Sequence, residues 1–310
     1  MILGLHHVTA TVADPRPDLE FCRDTLGLRL VKKTVNFDNH HVYHFYYGDE
    51  RGTPGTIWTT FPYAGMGVAP GRHGQGQITA TAFSVPSGSL DYWRERLAAR
   101  GVAAEDAAPR FGEEGLALLD PSGLRFELLA TGRDHRVPWA GSGVEPSAAV
   151  RGLHGVTLTV ADPEPSARLL TELLDFRVVG EADGRLRLGV GTGEPGLALD
   201  LAFGTGARSA LNGLGTVHHV ALAVESAEAQ RALREALLGR GLQVTQVLDR
   251  QYFQSIYFRE PGGVLLEVAT TSPGFTVDEP LDRLGEELKL PPWEEPNRGA
   301  IEARLPSIRS

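Results

Sequence analysis

The stretch LHHVTATVADP at residues 5–15 occurs three more times in the chain in altered form. The copies are LHGVTLTVADP at 153–163, VHHVALAVES at 217–226 and, more diverged, ITATAFSVP at 78–86. Each copy alternates bulky apolar residues with smaller or polar ones, which is typical of a strand with one buried face. The recurrence indicates that the chain is built from four copies of one small structural unit.

Each copy is followed by a helical segment, further strand-like runs, a turn containing glycine and a closing strand. Helices are predicted over 18–26, 89–100, 165–174 and 227–239, with Pro17 and Pro165 at the first helical position, which favours proline. The sequence therefore predicts an α+β fold of four β-α-β-β-β modules. The modules cover 4–61, 77–132, 151–203 and 216–270.

The order of the modules divides the chain into a first repeat over 4–132 and a second repeat over 151–270. Connectors rich in glycine and proline separate the modules at 61–77, 134–146 and 203–215. The tail over 271–310 is rich in proline and charged residues, and its sequence predicts no chemical role.

The composition excludes several classes of protein. The chain has 310 residues, with 30 Lys and Arg against 39 Asp and Glu, and a formal charge of −9. No basic stripe is present, which disfavours nucleic acid or an anionic membrane as a partner. A single cysteine, Cys22, excludes an internal disulfide framework and fits a reducing compartment. We expect a soluble, cytoplasmic protein, and the sequence leaves a homo-oligomer open.

Three residues of metal-binding types fall on comparable faces of the repeated strands. His7 and His219 share one phase of the first strand, on the face opposite its bulky apolar residues. In the last closing strand, Glu267 lies opposite the bulky Val264, Leu266 and Val268. A lone histidine or glutamate on a strand is usually solvated, but their recurrence at matched positions indicates a metal site, because buried charged groups need a partner.

A count of ligands distinguishes the ways in which the modules can pair. The matched first-strand positions of the four modules are His7, Ala80, Gly155 and His219, and the matched last-strand positions are Thr59, Glu127, Asp200 and Glu267. Pairing the first module with the fourth gives two histidines and one carboxylate, the facial triad of non-haem Fe(II) oxygenases. Pairing chain neighbours instead gives His219, Glu267 and Asp200, and the count alone leaves this alternative open.

The repeats, the HHVT start at 6–9 and the GGVLLE close at 262–267 resemble the vicinal oxygen chelate superfamily. This superfamily includes glyoxalase I, fosfomycin-resistance proteins and extradiol dioxygenases. The chain is most similar to the ring-cleaving dioxygenases that act on hydroquinones, including the stretches YYGD at 46–49 and DEPL at 278–281. The resemblance covers nearly the whole chain and implies that the four modules form two cup-like half-barrels.

The resemblance also implies a set of site residues. The Fe(II) ligands of the family correspond to His7, His219 and Glu267, between the first and fourth modules, although Mn²⁺ would suit the same ligands. The surrounding family residues correspond to catalytic His6, His218 and Tyr257 and substrate-binding Thr9 and Arg250. The implied reactants are a small aromatic diol and dioxygen. Gly155 departs from the pattern in the third module, which removes a second metal site.

Two rival functions stay open at this point. A glyoxalase-type lyase or isomerase on the same fold normally needs four strong ligands, and Thr59 stands at the fourth place. A non-catalytic protein that binds a metal or a small ligand would not need the surrounding polar residues. Cleavage of a catechol rather than a hydroquinone is a third alternative. His40, His41 and His44 have no matched partner in the repeats and are predicted to have no role in the site.

Overall fold

The computed structural model describes residues 1–108, 110–203 and 208–308. Four modules follow one another with the same order of elements, which confirms the predicted α+β class and the β-α-β-β-β unit. The first module contains β1 (Ile2–Val12), α1 (Pro15–Leu19) continued by a π-helix (Glu20–Thr25), β2 (Arg29–Asn36), β3 (Asn39–Gly48) and β4 (Ile57–Pro62). The second contains β5 (Gln77–Pro86), α2 (Leu90–Ala99), β6 (Ala104–Asp106), β7 (Glu114–Leu119) and β8 (Arg125–Thr131).

The third and fourth modules repeat this order. The third contains β9 (Gly152–Val160), α3 (Pro163–Leu173), β10 (Arg177–Ala182), β11 (Arg185–Gly189) and β12 (Ala198–Phe203). The fourth contains β13 (Thr216–Val224), α4 (Ala227–Gly239), β14 (Leu248–Asp249), β15 (Gln254–Arg259) and β16 (Leu265–Thr270). The predicted connector at 203–215 lies partly outside the described residues, at 204–207.

In two helices, the first helical position lies two residues earlier than the sequence predicts. The prolines at the first helical position are Pro15 and Pro163, rather than Pro17 and Pro165. The reason is the capping residue before each of them. The carboxylates of Asp14 and Asp162 accept hydrogen bonds from backbone N–H groups of the first turn, which fixes the helix start.

The strands form two curled eight-stranded sheets. The first, called the site sheet below, has the order β14-β15-β16-β13-β1-β4-β3-β2 and joins the fourth module to the first. The second sheet has the order β10-β11-β12-β9-β5-β8-β7-β6 and joins the third module to the second. Within the site sheet, β1 is antiparallel to β13, while β13 and β16 are parallel neighbours. The first and the last module of the chain therefore meet at the centre of one sheet.

A shared apolar core holds the sheets together. The bulky face of β1, with Val8 and Val12, is fully buried in it. Trp58 of the site sheet contacts Phe126 of the second sheet, with 4.8 Å between ring centres, and Phe21 contacts the same ring at 5.4 Å. Burial of large aromatic side chains of this kind is the main stabilising contribution in a domain core. The opposite face of β1 is thereby left for other functions.

The C-terminal segment over 271–308 packs back against the site sheet. It contains three short 3-10 turns (Phe275–Val277, Leu281–Arg283 and Glu295–Asn297) and α5 (Arg298–Glu302). Phe275 stacks near Tyr46 and Tyr252, with 5.0 Å between ring centres in each case. The buried Lys32 lies 2.5 Å from a carboxylate oxygen of Asp278 and 2.5 Å from one of Glu279. The tail is thus an integral part of the wall of the site sheet.

Among the described residues, every helix is too short or too polar to cross a lipid bilayer.

Candidate metal centre

Three neighbouring strands of the site sheet place His7, His219 and Glu267 side by side. His7 lies on β1, His219 on β13 and Glu267 on β16, and all three side chains are buried. The Oε2 atom of Glu267 lies 3.2 Å from Nε2 of His7 and 2.8 Å from Nε2 of His219. The two imidazole Nε2 atoms are 3.3 Å apart. These three residues, called the ligand triad below, are the residues that the ligand count selected.

The polar atoms of the ligand triad fit a bound divalent cation. Glu267 Oε2 is buried and accepts no hydrogen bond from the described residues, although two imidazole nitrogens surround it. Its other oxygen accepts a hydrogen bond from the hydroxyl of Ser255, which orients the carboxylate. A buried oxygen without a donor is costly unless a cation satisfies it. Two imidazole nitrogens and one carboxylate oxygen are the donor set of a facial triad.

A second histidine stands behind each imidazole ligand. Nδ1 of His7 lies 2.9 Å from Nδ1 of His6, and Nδ1 of His219 lies 2.7 Å from Nδ1 of His218. Nε2 of His6 is 3.2 Å from the Thr270 carbonyl oxygen, which can only accept, so we assign the proton of His6 to Nε2. His6 Nδ1 is then an acceptor, His7 donates from Nδ1, and the lone pair of His7 Nε2 faces the ligand triad. Outer partners of this kind orient metal-binding imidazoles.

Burial keeps both outer histidines neutral. Burial, followed by the effect of the adjacent His7, lowers the pKa of His6 to about 3. It lowers the pKa of His218 to about 3 in the same way, with His219 as the next contribution. For Glu267, burial alone would raise the pKa, but His7 and His219 outweigh it and hold the pKa well below its usual range. The carboxylate is therefore ionised and the outer imidazoles are neutral.

A cavity of about 400 Å³ opens onto the ligand triad. Four of the five surrounding residues that the family resemblance implies line it: Thr9, His218, Arg250 and Tyr257. The fifth, His6, is buried behind His7 against the Phe253 ring, at 4.9 Å between ring centres, and is not among the residues that line the cavity. His6 is thus placed to act on His7 rather than on a bound molecule.

The polar end of the cavity pairs an arginine with a phenol. The guanidinium of Arg250 lies 5.3 Å from the ring centre of Tyr257 and 3.1 Å from the carboxylate of Asp38. Burial and the Glu267 carboxylate raise the pKa of Tyr257, so its hydroxyl stays protonated. This end of the cavity therefore presents a cation and a phenolic donor to a bound molecule.

His44 is a further cavity residue, for which the repeats predicted no role. Its ring lines the cavity between Tyr46 and Phe61, with ring centres 4.0 and 4.3 Å away, and its Nε2 atom is 2.9 Å from the hydroxyl of Thr59. The strand register is the signal that could have indicated it. Tyr46 on β3 pairs with Thr59 on β4, just as Tyr257 on β15 pairs with Glu267 on β16. The first module therefore has a counterpart for each position around Glu267.

In the second sheet, arginines occupy the space that corresponds to the metal centre. Arg110 lies 2.5 Å from Glu127, and Arg187 lies 2.7 Å from Asp200 and 2.6 Å from Glu113. Asp200 lies on β12 of the second sheet, whereas His219 and Glu267 lie in the site sheet, which excludes the alternative pairing of chain neighbours. Of the residues that the structure describes, only the ligand triad forms a group of three potential metal ligands.

The sequence pattern of the Glyoxalase/Bleomycin resistance protein/Dioxygenase superfamily matches residues 4–128 and 152–268. The "Putative ring-cleaving dioxygenase MhqE" of Bacillus subtilis (strain 168) is 42% identical over 305 residues, which cover 98% of this chain and 99% of that protein. The "Chlorohydroquinone/hydroquinone 1,2-dioxygenase" of Sphingobium indicum is 37% identical over 297 residues, which cover 93% of this chain and 91% of that protein.

A solved structure shows the same architecture. It is the crystal structure of a "putative dioxygenase" from Bacillus subtilis subsp. subtilis str. 168, which is 38% identical to this chain and superposes with a TM-score of 0.93. The superposition covers 100% of this chain and 99% of that one. The chain therefore belongs to the glyoxalase, bleomycin resistance protein and dioxygenase superfamily, as its repeated strands predict.

Proposed function

We propose that the protein is an Fe(II)-dependent ring-cleaving dioxygenase of the extradiol type that opens a hydroquinone or a related small aromatic diol. Relatives that are 37–42% identical over nearly their whole length carry names of ring-cleaving dioxygenases. The observation that carries the proposal is the ligand triad at the end of a cavity lined by Thr9, His218, Arg250 and Tyr257. A site for metal storage would not need this set of donors around its open side.

The ligand triad would hold the metal through two imidazole nitrogens and one carboxylate oxygen. Fe(II) bound there supplies Lewis acidity toward a diol oxygen and redox chemistry toward dioxygen. Three protein ligands leave coordination positions open for both reactants. His6 and His218 fix the direction of the two imidazole ligands through their Nδ1 contacts, and Ser255 fixes that of the carboxylate.

The residues that line the cavity have separate roles in binding. With its Nε2 lone pair on the metal, His219 would donate from Nδ1 to Nδ1 of His218. The proton of His218 would then be on Nε2, which has no partner among the described residues and could donate to a substrate oxygen. The protonated hydroxyl of Tyr257 is a second donor, and Arg250 holds the negative charge of an ionised diol. Phe61 and Phe253 give the aromatic ring an apolar surface.

The structure of the fourth position disfavours a glyoxalase-type reaction. Thr59 occupies that position, and its hydroxyl is engaged by both Thr9 and His44. A neutral hydroxyl held in this way is a poor replacement for the fourth strong ligand. The ligand set does not separate Fe(II) from Mn²⁺, since both accept imidazole and carboxylate ligands.

Oxygen uptake by the metal-loaded protein tests the proposal. The protein is reconstituted anaerobically with Fe(II) or with Mn²⁺ and then given hydroquinone, catechol or a glutathione hemithioacetal in air-saturated buffer. We expect oxygen consumption with loss of the aromatic absorbance for hydroquinone in the Fe(II) form. Turnover of the hemithioacetal without oxygen uptake would replace the proposal with the isomerase. Binding of metal and diol without any turnover would favour a non-catalytic protein.

A further inference from the structure

A hydrogen-bonded chain leads from the cavity into the wall of the first module. The Thr59 hydroxyl donates to the hydroxyl of Thr9, with 2.9 Å between the oxygens, and Nε2 of His44 lies 2.9 Å from the same Thr59 oxygen. Thr59 is fully buried, whereas Thr9 and His44 line the cavity. The chain thus starts and ends at the space that a substrate would occupy.

This hydrogen-bonded chain is the counterpart of a contact in the fourth module. There, Ser255 donates to Glu267 from the neighbouring antiparallel strand and so orients a metal ligand. In the first module the strand register brings His44 to Thr59 in the same way. Because Thr59 is not a metal ligand, the contact orients a hydroxyl instead of a carboxylate.

The hydrogen bonds define a direction along the chain. A hydroxyl has one proton, so Thr59, which donates to Thr9, must accept from His44. Burial, and then the neighbouring His7, lower the pKa of His44 well below its usual range, so the ring is neutral and has one N–H group. That group is Nε2–H, and Nδ1 of His44 is left as an acceptor without a partner among the described residues. Thr9 accepts from Thr59 and keeps its own proton for a donation into the cavity.

We propose that His44 is a positioning residue, which polarises Thr59 and thereby aims the Thr9 hydroxyl at an oxygen of the bound aromatic diol. The inference rests on the proposed function, because the diol is the molecule that Thr9 would meet. The rings of Tyr46 and Phe61 both pack against the imidazole, so its orientation is restricted before a substrate binds. Such preorganisation makes a hydrogen bond more effective, since it need not be arranged during binding.

Paired substitutions separate the hydrogen bond from the shape of the side chain. His44→Phe keeps an aromatic ring and removes the donor, whereas His44→Gln keeps an N–H donor at the position of Nε2. Thr59→Val removes the hydroxyl at nearly constant shape. Thr81→Val is the matched control, because Thr81 is buried on β5 of the second sheet and its hydroxyl has no partner among the described residues.

Diol affinity and turnover are measured on the Fe(II)-loaded variants, with affinity determined anaerobically and Fe(II) affinity determined separately. We expect His44→Phe and Thr59→Val each to reduce diol affinity and kcat/KM by about tenfold, the size of one lost hydrogen bond, with Fe(II) affinity unchanged. The double variant should lose about as much as either single variant, because both act on one chain. His44→Gln should recover most of the loss, and Thr81→Val should resemble the unsubstituted protein. Wild-type values for His44→Phe, or fully additive losses, would overturn the proposal.

The tautomer of His44 tests the hydrogen-bonded chain independently of any enzymatic turnover. In ¹⁵N-labelled protein, the signal that disappears in His44→Phe identifies this ring, and its nitrogen shifts report which atom is protonated. We expect the Nε2–H form, and we expect Thr59→Val to change it. An Nδ1–H form would overturn the inference even if the protein cleaves diols. Conversely, an Nε2–H form in a protein that consumes no oxygen would contradict the proposed function and leave the hydrogen-bonded chain supported.

Discussion

Asp18 is a carboxyl group buried beneath the site sheet, away from the ligand triad. It accepts hydrogen bonds from the hydroxyls of Tyr47 and Thr60, at 2.7 and 2.6 Å. Burial raises the pKa of Asp18 to about 6, and these hydrogen bonds only partly oppose that change. The folded protein therefore holds this proton more tightly than the unfolded chain does, and stability should fall as the pH rises from about 4 to about 6.

Replacing Asp18 with asparagine should remove this part of the pH dependence. A shift of about two pKa units corresponds to roughly 3 kcal/mol. Between pH 4 and pH 6, the free energy of unfolding of Asp18→Asn should therefore decline by roughly 3 kcal/mol less than that of the unsubstituted protein. Urea unfolding at pH 4, 5, 6 and 7 measures the difference. Asp91→Asn, at an exposed position on α2, is the control and should follow the unsubstituted protein. Identical slopes for Asp18→Asn and the unsubstituted protein would show that Asp18 titrates normally.

Ser255 gives a prediction for metal binding at the scale of one residue. Its hydroxyl holds the Glu267 carboxylate so that the other oxygen faces the two imidazoles. Loss of an outer partner of a metal ligand typically weakens metal binding 10–100-fold, and we expect Ser255→Ala to lower Fe(II) affinity by about this factor. Anaerobic titration against a competing chelator measures the change.

The matched control for Ser255 lies far from the metal centre. Ser166 on α3 is also buried and donates to a buried carboxylate, that of Glu260, at 2.5 Å. Ser166→Ala should lower stability by about 1 kcal/mol and leave Fe(II) affinity unchanged. If both variants bound Fe(II) equally weakly, the loss would reflect general destabilisation rather than the orientation of Glu267.

The limits of sequence analysis are clear for the residues of the first module. His7, His219 and Glu267 could be selected because the repeat supplies matched positions for comparison. His44 could not be selected in this way, because its counterpart in the fourth module is Ser255, a different residue type. Its place in the cavity depends on the register between β3 and β4, and alternation along one strand does not define that register.

At the scale of elements, the C-terminal segment depends on one buried cation. Lys32 on β2 pairs with Asp278 and Glu279 and lies 5.1 Å from the ring centre of Tyr252. Removal of one partner of a buried ion pair typically costs about 3–5 kcal/mol, since the remaining charges lose their compensation. We therefore expect Lys32→Met to destabilise the protein by this order and to release the segment over 271–308 from the site sheet.

Hydrogen exchange read by mass spectrometry checks this prediction segment by segment. Peptides from the tail should exchange faster in Lys32→Met, while peptides from β5 to β12 in the second sheet should change little. Lys289→Met is the control, because the ion pair of Lys289 with Glu287 is at the surface and contributes little. Faster exchange across all elements would indicate global unfolding instead of local release.

The tail also shows what periodicity cannot predict. The strands and helices of the modules have alternating or helical patterns, and all four modules were predictable from them. The tail has no such pattern, and its partners Lys32 and Tyr252 are more than 200 and about 25 residues away from it in the chain, respectively. Its position is set by burial of Phe275 and by ion pairing, and these contacts are visible only after the sheet has formed.

At the scale of the whole molecule, two similar sheets have different chemical contents. The site sheet places imidazoles and a carboxylate around a cavity, whereas in the second sheet arginine side chains neutralise the carboxylates. The sequence predicted the absence of a second metal site from Gly155. It did not predict the arginines, because Arg110 and Arg187 lie outside the strand positions that the repeat comparison matched.

The comparison of Glu267 with Glu127 tests this division of roles. The two residues occupy matched positions in the closing strands β16 and β8, but Glu127 lies 2.5 Å from Arg110. We expect Glu267→Ala to abolish Fe(II) binding, because the carboxylate ligand is lost. Glu127→Ala should bind Fe(II) with unchanged stoichiometry and affinity, but should lose about 3 kcal/mol of stability, because Arg110 loses its nearest counter-charge.

Metal content after anaerobic reconstitution and urea unfolding of the same samples measure both effects. The pair is informative because each variant serves as the control of the other, with the same residue type replaced at the same position of the repeat. A loss of Fe(II) from Glu127→Ala as complete as that from Glu267→Ala would place metal ligands in the second sheet. Retention of Fe(II) by Glu267→Ala would mean that His7 and His219 hold the metal with a different third ligand.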